Sequence, residues 1–556
     1  MALTKASYSM ITGASANVLD FGADATGATS SAAAVQAAID SGAKTIYFPA
    51  GTYLLPSGGQ TVSQYAVAQG DSAIDIPSTY AVVIGNKTGV TIDATQANIV
   101  TDAAAVFVFY RAVDCRMLGG KFTRTGTNTQ VDNNQASAVV ITRSANTFAE
   151  NVSVTGFYRN LFAYRAPNCG FVNCVSSNAR YYNIYCASTV DINIGGFSSN
   201  GTTRQYARNC LGRGGNFGNF FGDQAIFANN VSFDLTGTSG NGAHFTTEQG
   251  QITVVNNFIS EAAVCNGSNL FIGISAAPAA SFGTTAKDCV IENNVVFGCA
   301  FGISVTGVEQ FSVVGNYVKN YYATGIAVIT QQSGGLNYDV KSGAVDSNVI
   351  ANINDASTRT AVGNIKICGL QFEENNGLVF SNIICSGNMV DAKGANTTKT
   401  PDYGVYVEAT RNSIQFSINN FASNVPSGVP VWGYGARRTL FSVQLISSGT
   451  GASPTAVPES LHYDGSLLLG SGANVRLLEA TIGMRLTISA TTGTCYVYVK
   501  DASTSGTGTD TIYCAGKTAT QKNLEFTGPG CLQLVCIDPN VWMALPSEGT
   551  TITLTP

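Results

Sequence analysis

An asparagine followed by an apolar residue returns through the middle of the chain, in VVNNFIS, IENNVVF, VVGNYVK, VDSNVIA, ICSGNMV and SINNFAS. The matching residues are Asn257, Asn294, Asn316, Asn348, Asn388 and Asn420, at spacings of 37, 22, 32, 40 and 32. Between them a second element, Gly-apolar-x-apolar, recurs at Gly273, Gly302, Gly325, Gly369 and Gly404, and GAHF at Gly242 fits the same template. NLFAY and NIYC, at Asn160 and Asn183, lie 23 residues apart. A repeat of this length is one supersecondary unit that buries its apolar face only by stacking on its neighbours. A basic period near 22 with longer spacings predicts a right-handed parallel β-helix, each coil giving two or three short strands whose alternate residues point inward. The recurring asparagine is expected at a sharp corner, in left-handed geometry, bonded to the asparagine of the next coil. A β-sandwich offers no reason for such a residue.

The Gly/Ser/Thr/Asn-rich segments SGGLNYD, DASTRTAVGN and DAKGANTTKTPD read as loops inserted into consecutive coils, placed to wall one groove. Composition agrees. Of 556 residues only 11 % are charged and 45 % are hydrophobic, with 60 glycines and a net charge of −5. This excludes a disordered chain and a coiled coil, and it gives no basic face for nucleic acid. No stretch of ~20 apolar residues exists, so no membrane insertion is expected. The start, MALTKASYSMITGASA, has no continuous apolar core of a secretory signal. The 14 cysteines sit mostly in apolar runs, as buried small hydrophobes of a chain made in a reducing cytoplasm. With two histidines and no CxxC pair, no metal site and no cofactor are expected.

The chain divides into a flexible lead-in at 1–17, an entrance with a capping helix at 18–80, the parallel β-helix at 81–425, a linker at 426–438 and a C-terminal antiparallel β-sandwich at 439–556. Ser31 to Lys44 is the one convincing helix, capped by Ser30 or Ser31 and ended by Gly42. A single helix ahead of a long run of strands is best used to cover the open end of the stack. The C-terminal strands are short, alternating and separated by turns.

VLDFGAD, AAVQAAID and TIYFPAGTYLL, from Val18 to Leu55, closely resemble the opening of the pectate-lyase-like β-helix of bacteriophage tailspikes. The preceding ALTKASYSMI also looks like the start of phage tail fibre and tailspike proteins. The resemblance covers about 50 residues. It implies a homotrimeric spike of the virion, assembled in the host cytoplasm and acting at the bacterial surface. Such a spike binds, and usually degrades, a capsular or O-antigen polysaccharide. Its N-terminus would join the phage tail or another spike.

Aligning the Gly-apolar-x-apolar elements puts outward residues in columns: His244, Ser275, Ser304, Ala327, Gln371 and Tyr406 in one, and Thr246, Ala277, Thr306, Ile329, Glu373 and Glu408 in the next. Glu373 and Glu408 then project from adjacent coils about 4.8 Å apart. Carboxylates that close repel, which splits their pKa values as glycoside hydrolysis requires. These two are the candidate catalytic pair. His244 with Glu248 is a second acid–base candidate on an exposed sheet. Glu374, Gln371, Tyr406 and Arg411 are candidate substrate contacts. Tyr181, Tyr182, Tyr321 and Tyr322 are further candidates for stacking on sugar rings. The leading expectation is a glycosidase. A lyase would need a base such as Arg411 or His244 beside the carboxylate, and a non-catalytic adhesin would hold the polymer without cutting it.

Overall fold

The computed structural model describes residues 14–56, 60–61, 79–125, 136–187, 193–194, 197–198, 204–221, 224–235, 243–262, 270–278, 286–333, 336–353, 367–374, 378–391, 403–408, 414–416, 421–423, 431–434, 443–446, 455–456, 463–469, 474–477, 484–498, 511–514, 520–521, 523–538, 541–546 and 551–555. Three sheets of 14 strands run the length of a right-handed parallel β-helix. Each coil visits them in turn. Sheet 1 begins at Ala16–Asn17, sheet 2 at Thr26–Ser30, and sheet 3 takes its first parallel partners from Thr79–Gly85.

Inward residues stack coil on coil. In sheet 1 the column reads Ile46, Ile92, Met117, Ala149, Phe171, Ala207, Phe227, Val254, Ile291, Val313, Val345 and Cys385. All are fully buried. Parallel strands buried this way read as apolar runs, and each column removes its side chains from water along the whole axis.

The corner between sheets 1 and 2 has two residues in every coil from Arg116–Leu118 to Phe380–Ser386. The second corner residue in six successive coils is Asn230, Asn257, Asn294, Asn316, Asn348 and Asn388. Each Nδ2 from Asn230 to Asn348 donates to the Oδ1 of the next at 2.9–3.0 Å, and that Oδ1 also accepts the backbone N–H at 2.9–3.1 Å. The expected ladder is therefore present, with one correction. The left-handed residue is the one before it, as in Asn256, Asn293, Gly315, Ser347 and Gly387, because that residue makes the bend while the ladder asparagine already points into the core. Asn420 lies outside the described residues.

The helix spans Ala32–Asp40, shorter than expected, with Gly42 in the left-handed region just beyond it. Ser31 precedes it, but its Oγ accepts from the N–H of Asp24 instead of capping the helix. Val35, Ala38 and Ile39 enter the core. Gln36 closes the end of the stack. Its Nε2 donates to the carbonyl of Val83 at 3.0 Å and its Oε1 accepts that residue's N–H at 2.9 Å, so both edge groups find partners. Gln36→Leu should cost about 2 kcal/mol in equilibrium urea unfolding, because both Val83 groups stay buried without partners. A change below ~0.5 kcal/mol would contradict this role.

Two expected boundaries shift. Ala16–Asn17, at the end of the lead-in, already pairs with Ile46–Tyr47. Val431–Tyr434, inside the expected linker, pairs with Val405–Glu408 as a further strand of sheet 3, since VWGY can still alternate although Pro, Gly and Arg flank it. Beyond it, ten strands form a sheet of mixed direction, where an antiparallel sandwich was expected. Its long strands Arg485–Tyr498 and Asn523–Asp538 are antiparallel, but Val443–Ile446, Tyr463–Leu469 and Arg485–Tyr498 run parallel. Alternation in sequence marks strands and does not fix their direction. Cys115, Cys169, Cys174, Cys186, Cys210 and Cys289 are buried thiols outside any disulfide. Burial pushes the Cys289 thiol up to about 12 and also raises Cys169 and Cys385.

Candidate functional site

Past the capping helix, the long connections between the described strands leave or rejoin the solenoid at the two borders of sheet 3. From sheet 2 the chain passes from Phe233 to Ala243, Ser260 to Ile272, Ile353 to Cys368 and Asp391 to Tyr403 before entering sheet 3. On the other border it passes from Ala187 to Tyr206, Ala276 to Ala286 and Ile329 to Val340 between sheets 3 and 1. Loops are where a rigid scaffold carries recognition, so the outward face of sheet 3 is the candidate site.

On that face the register sets Glu373 directly against Glu408, with Cys368 against Tyr403 and Gln371 against Tyr406. The two acidic positions thus occupy one column on neighbouring coils, as the repeat alignment predicts. Glu373 is half-buried, and its carboxylate accepts a hydrogen bond from Nε2 of Gln371. Gln371 Oε1 in turn accepts from Thr324 Oγ1 at 3.0 Å. The carboxylate is therefore held by a buried amide, itself fixed from the coil below. The side chain of Glu408, and Arg411 altogether, lie outside the described residues. Glu374 turns away: its Oε1 accepts from the N–H of Phe380 at 3.2 Å and ties the connection to sheet 1. Gln371 and Tyr406 are 3 % and 2 % exposed, so neither is the open contact that their outward column implies.

His244 is not on this face. Ala243 pairs with Ile272 and Phe245 with Ile274, so His244 stands level with Gly273 and the GAHF match is two residues out of register. The reason is steric. In the upper coils sheet 2 points branched residues across the core. A Cβ at Gly302 would come within 2.3 Å of Val318 Cγ1, and one at Gly325 within 2.4 Å of Ile350 Cγ2. In the coil of His244 the facing residue is Ser232, which leaves room for a ring. Ser232 Oγ and His244 Nδ1 are 2.6 Å apart, and His244 Nε2 is 3.4 Å from Glu261 Oε2. Glu261 Oε2 also accepts the N–H of Leu235 at 2.7 Å. His244 is wholly buried and Glu261 nearly so; this is an interior network that no extended substrate reaches. With the register corrected, Glu248 falls in the column of Glu373, four coils below it and about 19 Å away. Its side chain is outside the described residues. At that distance it cannot share a proton with Glu373.

The lower coils carry a feature that the sequence reading only touched. Tyr158 and Tyr181 stack at 5.5 Å, Tyr182 and Tyr185 at 5.1 Å, and Phe162 and Tyr185 at 5.5 Å. The Arg159 guanidinium lies 4.0 Å from the Tyr185 ring centroid. Tyr181 is 39 % exposed, a ring open to a partner. Extending the NLFAY and NIYC match by two residues at its start would have exposed the Tyr158–Tyr181 pair. Tyr321, by contrast, is buried in the main core, and Tyr322 packs beside Leu235 and Phe271. Six coils, about 29 Å, separate Tyr185 from Glu373 on sheet 3.

The family model described as Rhamnogalacturonase A/epimerase, pectate lyase-like, matches residues 15–269. That is a little under half of the chain. No curated protein matches it. Among solved structures, the A-module of a mannuronan C-5 epimerase from Azotobacter vinelandii is 16 % identical over 77 % of this chain and 100 % of that one, with a TM-score of 0.43. A tailspike protein mutant of E. coli bacteriophage HK620, in complex with pentasaccharide, is 13 % identical over 97 % and 92 %, with a TM-score of 0.43. PfbA, a surface adhesin of Streptococcus pneumoniae, is 13 % identical over 76 % and 93 %, with a TM-score of 0.44. Identities and scores this low say nothing of chemistry.

Proposed function

We propose that this chain binds an extended bacterial surface polysaccharide, capsular or O-antigen, along sheet 3 and hydrolyses it with Glu373 and Glu408. The observation that carries this reading is the placement of the two carboxylate positions opposite each other on the face bordered by the long connections. One protonated carboxyl gives its proton to the leaving glycosidic oxygen. The other, ionised, attacks the anomeric carbon or takes a proton from the attacking water. Gln371 holds Glu373 for this role. The tyrosines around Tyr181, about six coils away, would bind sugar rings further along the same chain. The resemblance of Val18 to Leu55 to tailspike openings supports a place on a phage tail.

The test is to incubate the full chain with a panel of capsular and O-antigen polysaccharides and to analyse the products by mass. Saturated oligosaccharides with new reducing ends support hydrolysis. An unsaturated uronate end would make the chain a lyase. A polymer that binds and yields no new ends would make it an adhesin, a reading that the tyrosine cluster favours by itself. In each case Tyr181→Ala should weaken binding about tenfold by surface plasmon resonance, the loss of one stacked ring.

A further inference from the structure

Charge is sorted by sign along sheet 3. Its six lowest parallel strands, from Thr79–Gly85 to Asn216–Phe221, hold no Asp or Glu, and Arg159 is their one basic residue. The strands above, from Ala243–Gln249 to Val431–Tyr434, hold Glu248, Glu373 and Glu408 and no Lys or Arg.

More arginine stands at the lower border with sheet 1. The residue that follows the strand in four successive coils is Asn86, Arg111, Arg143 and Arg165. The strand ends Gly85, Tyr110, Thr142 and Tyr164 are in register, so these four positions are stacked about 4.8 Å apart. All four have left-handed backbone, with φ of 46–53°. Asparagine enters that region readily, whereas a long side chain enters it at a cost. The first coil shows that the bend accepts asparagine. The next three coils carry arginine instead, with strain and stacked like charge that the bend does not require. Strain kept at one place on a binding face points to function.

The guanidinium groups rest on rings. Tyr182, Tyr185, Phe162 and Tyr164 stack in a line across the sheet at 5.1, 5.5 and 6.1 Å. Arg159 lies 4.0 Å from the Tyr185 centroid at the sheet 2 end, and Arg165 5.0 Å from that of Tyr164 at the sheet 1 end. Phe162, Tyr164 and Tyr182 are buried, while Arg159 and Arg165 are partly exposed. The Nε of each is buried without a hydrogen-bond partner among the described residues. A ring face offsets only part of what desolvating a guanidinium costs. Its outer edge, with paired N–H groups, matches a carboxylate or a phosphate. We infer that the lower coils of sheet 3 hold an anionic substituent, carboxylate or phosphate, repeated along the polymer, with Arg111, Arg143, Arg165 and Arg159 as its anchors. This rests on the reading that sheet 3 binds a polysaccharide, and it adds that the polysaccharide is acidic.

The test takes the full chain and the same panel of capsular and O-antigen polysaccharides, sorted by charge. Those it binds should carry a carboxylate or a phosphate, and raising NaCl from about 0.05 M to about 0.5 M should weaken binding at least tenfold. Reduction of the polymer's carboxyl groups to alcohols should weaken binding as much if the anion is a carboxylate. Removal of phosphate with hydrofluoric acid should do so if it is a phosphate. Arg143→Asn with Arg165→Asn installs the residue of the first coil at two more positions of the column. That variant should melt no lower than wild type and yet bind the acidic polymer at least tenfold more weakly. A purely structural column would give the reverse, a lower melting temperature with affinity kept. Neutral polysaccharide bound without dependence on salt overturns the inference, and the reading of sheet 3 as a polysaccharide site would still stand. A double variant within twofold of wild type on the acidic polymer overturns the inference as well. A chain that binds none of the panel overturns both.

Discussion

Asn316→Ala should lower the free energy of unfolding by about 4 kcal/mol in urea. Asn316 Oδ1 accepts both the backbone N–H and the Nδ2 of Asn294, each at 3.0 Å. Its own Nδ2 reaches the carbonyl of Ile291 at 2.9 Å and Oδ1 of Asn348 at 3.0 Å. Truncation leaves two buried donors of Asn294 without their acceptor and the Ile291 carbonyl of that coil without its donor, each costing ~1–3 kcal/mol, while Asn348 Oδ1 keeps the backbone N–H of residue 316; the ~4.8 Å rise leaves no height for a bridging water. Asn316→Asp should do no better, because it keeps the acceptor but buries a charge against the Ile291 carbonyl. A loss under ~1 kcal/mol for the alanine variant would show that the ladder follows from the fold and does little to hold it.

Glu373→Gln should reduce the initial rate of polymer cleavage by about 10²–10⁴, with Glu408→Gln in the same range, while affinity for uncut polymer changes little. The amide is isosteric and can still accept the hydrogen bond of Gln371, so the coil should keep its geometry. What is lost is the ability to give up or take a proton, or to attack as an anion. The split matters: a rate loss without a binding loss marks chemistry, whereas a fall in both would mark damage to the groove. Stopped reactions analysed for reducing ends, with binding measured on the same samples, separate the two. A Glu373→Gln protein within twofold of wild type in rate would remove the pair from the mechanism.

Much of this molecule can be read from its repeats. The corner asparagine and the Gly-apolar-x-apolar strand identify the solenoid, and they set Glu373 level with Glu408 across 35 residues. What escaped was governed by contacts across the core. Whether a strand residue at the position of Gly302 is a glycine or a histidine depends on whether sheet 2 offers Val318 or Ser232 opposite, and no pattern within one strand carries that information. His244 was misplaced for this reason. Exposure escaped as well: Tyr406 points outward by alternation yet is covered, whereas Tyr181 is open. The Tyr158–Tyr181 pair was accessible in principle, since the two segments share a 23-residue offset.

The two-residue bend between sheets 1 and 2, constant from Arg116–Leu118 to Phe380–Ser386, limits how such a chain can diversify. A residue added there would pull one asparagine out of line with those above and below it, so the penalty would spread to three coils at once. Segments gained or lost beside sheet 3 carry no such penalty. The molecule can therefore exchange what it recognises, one loop at a time, without retuning the spine that keeps it upright.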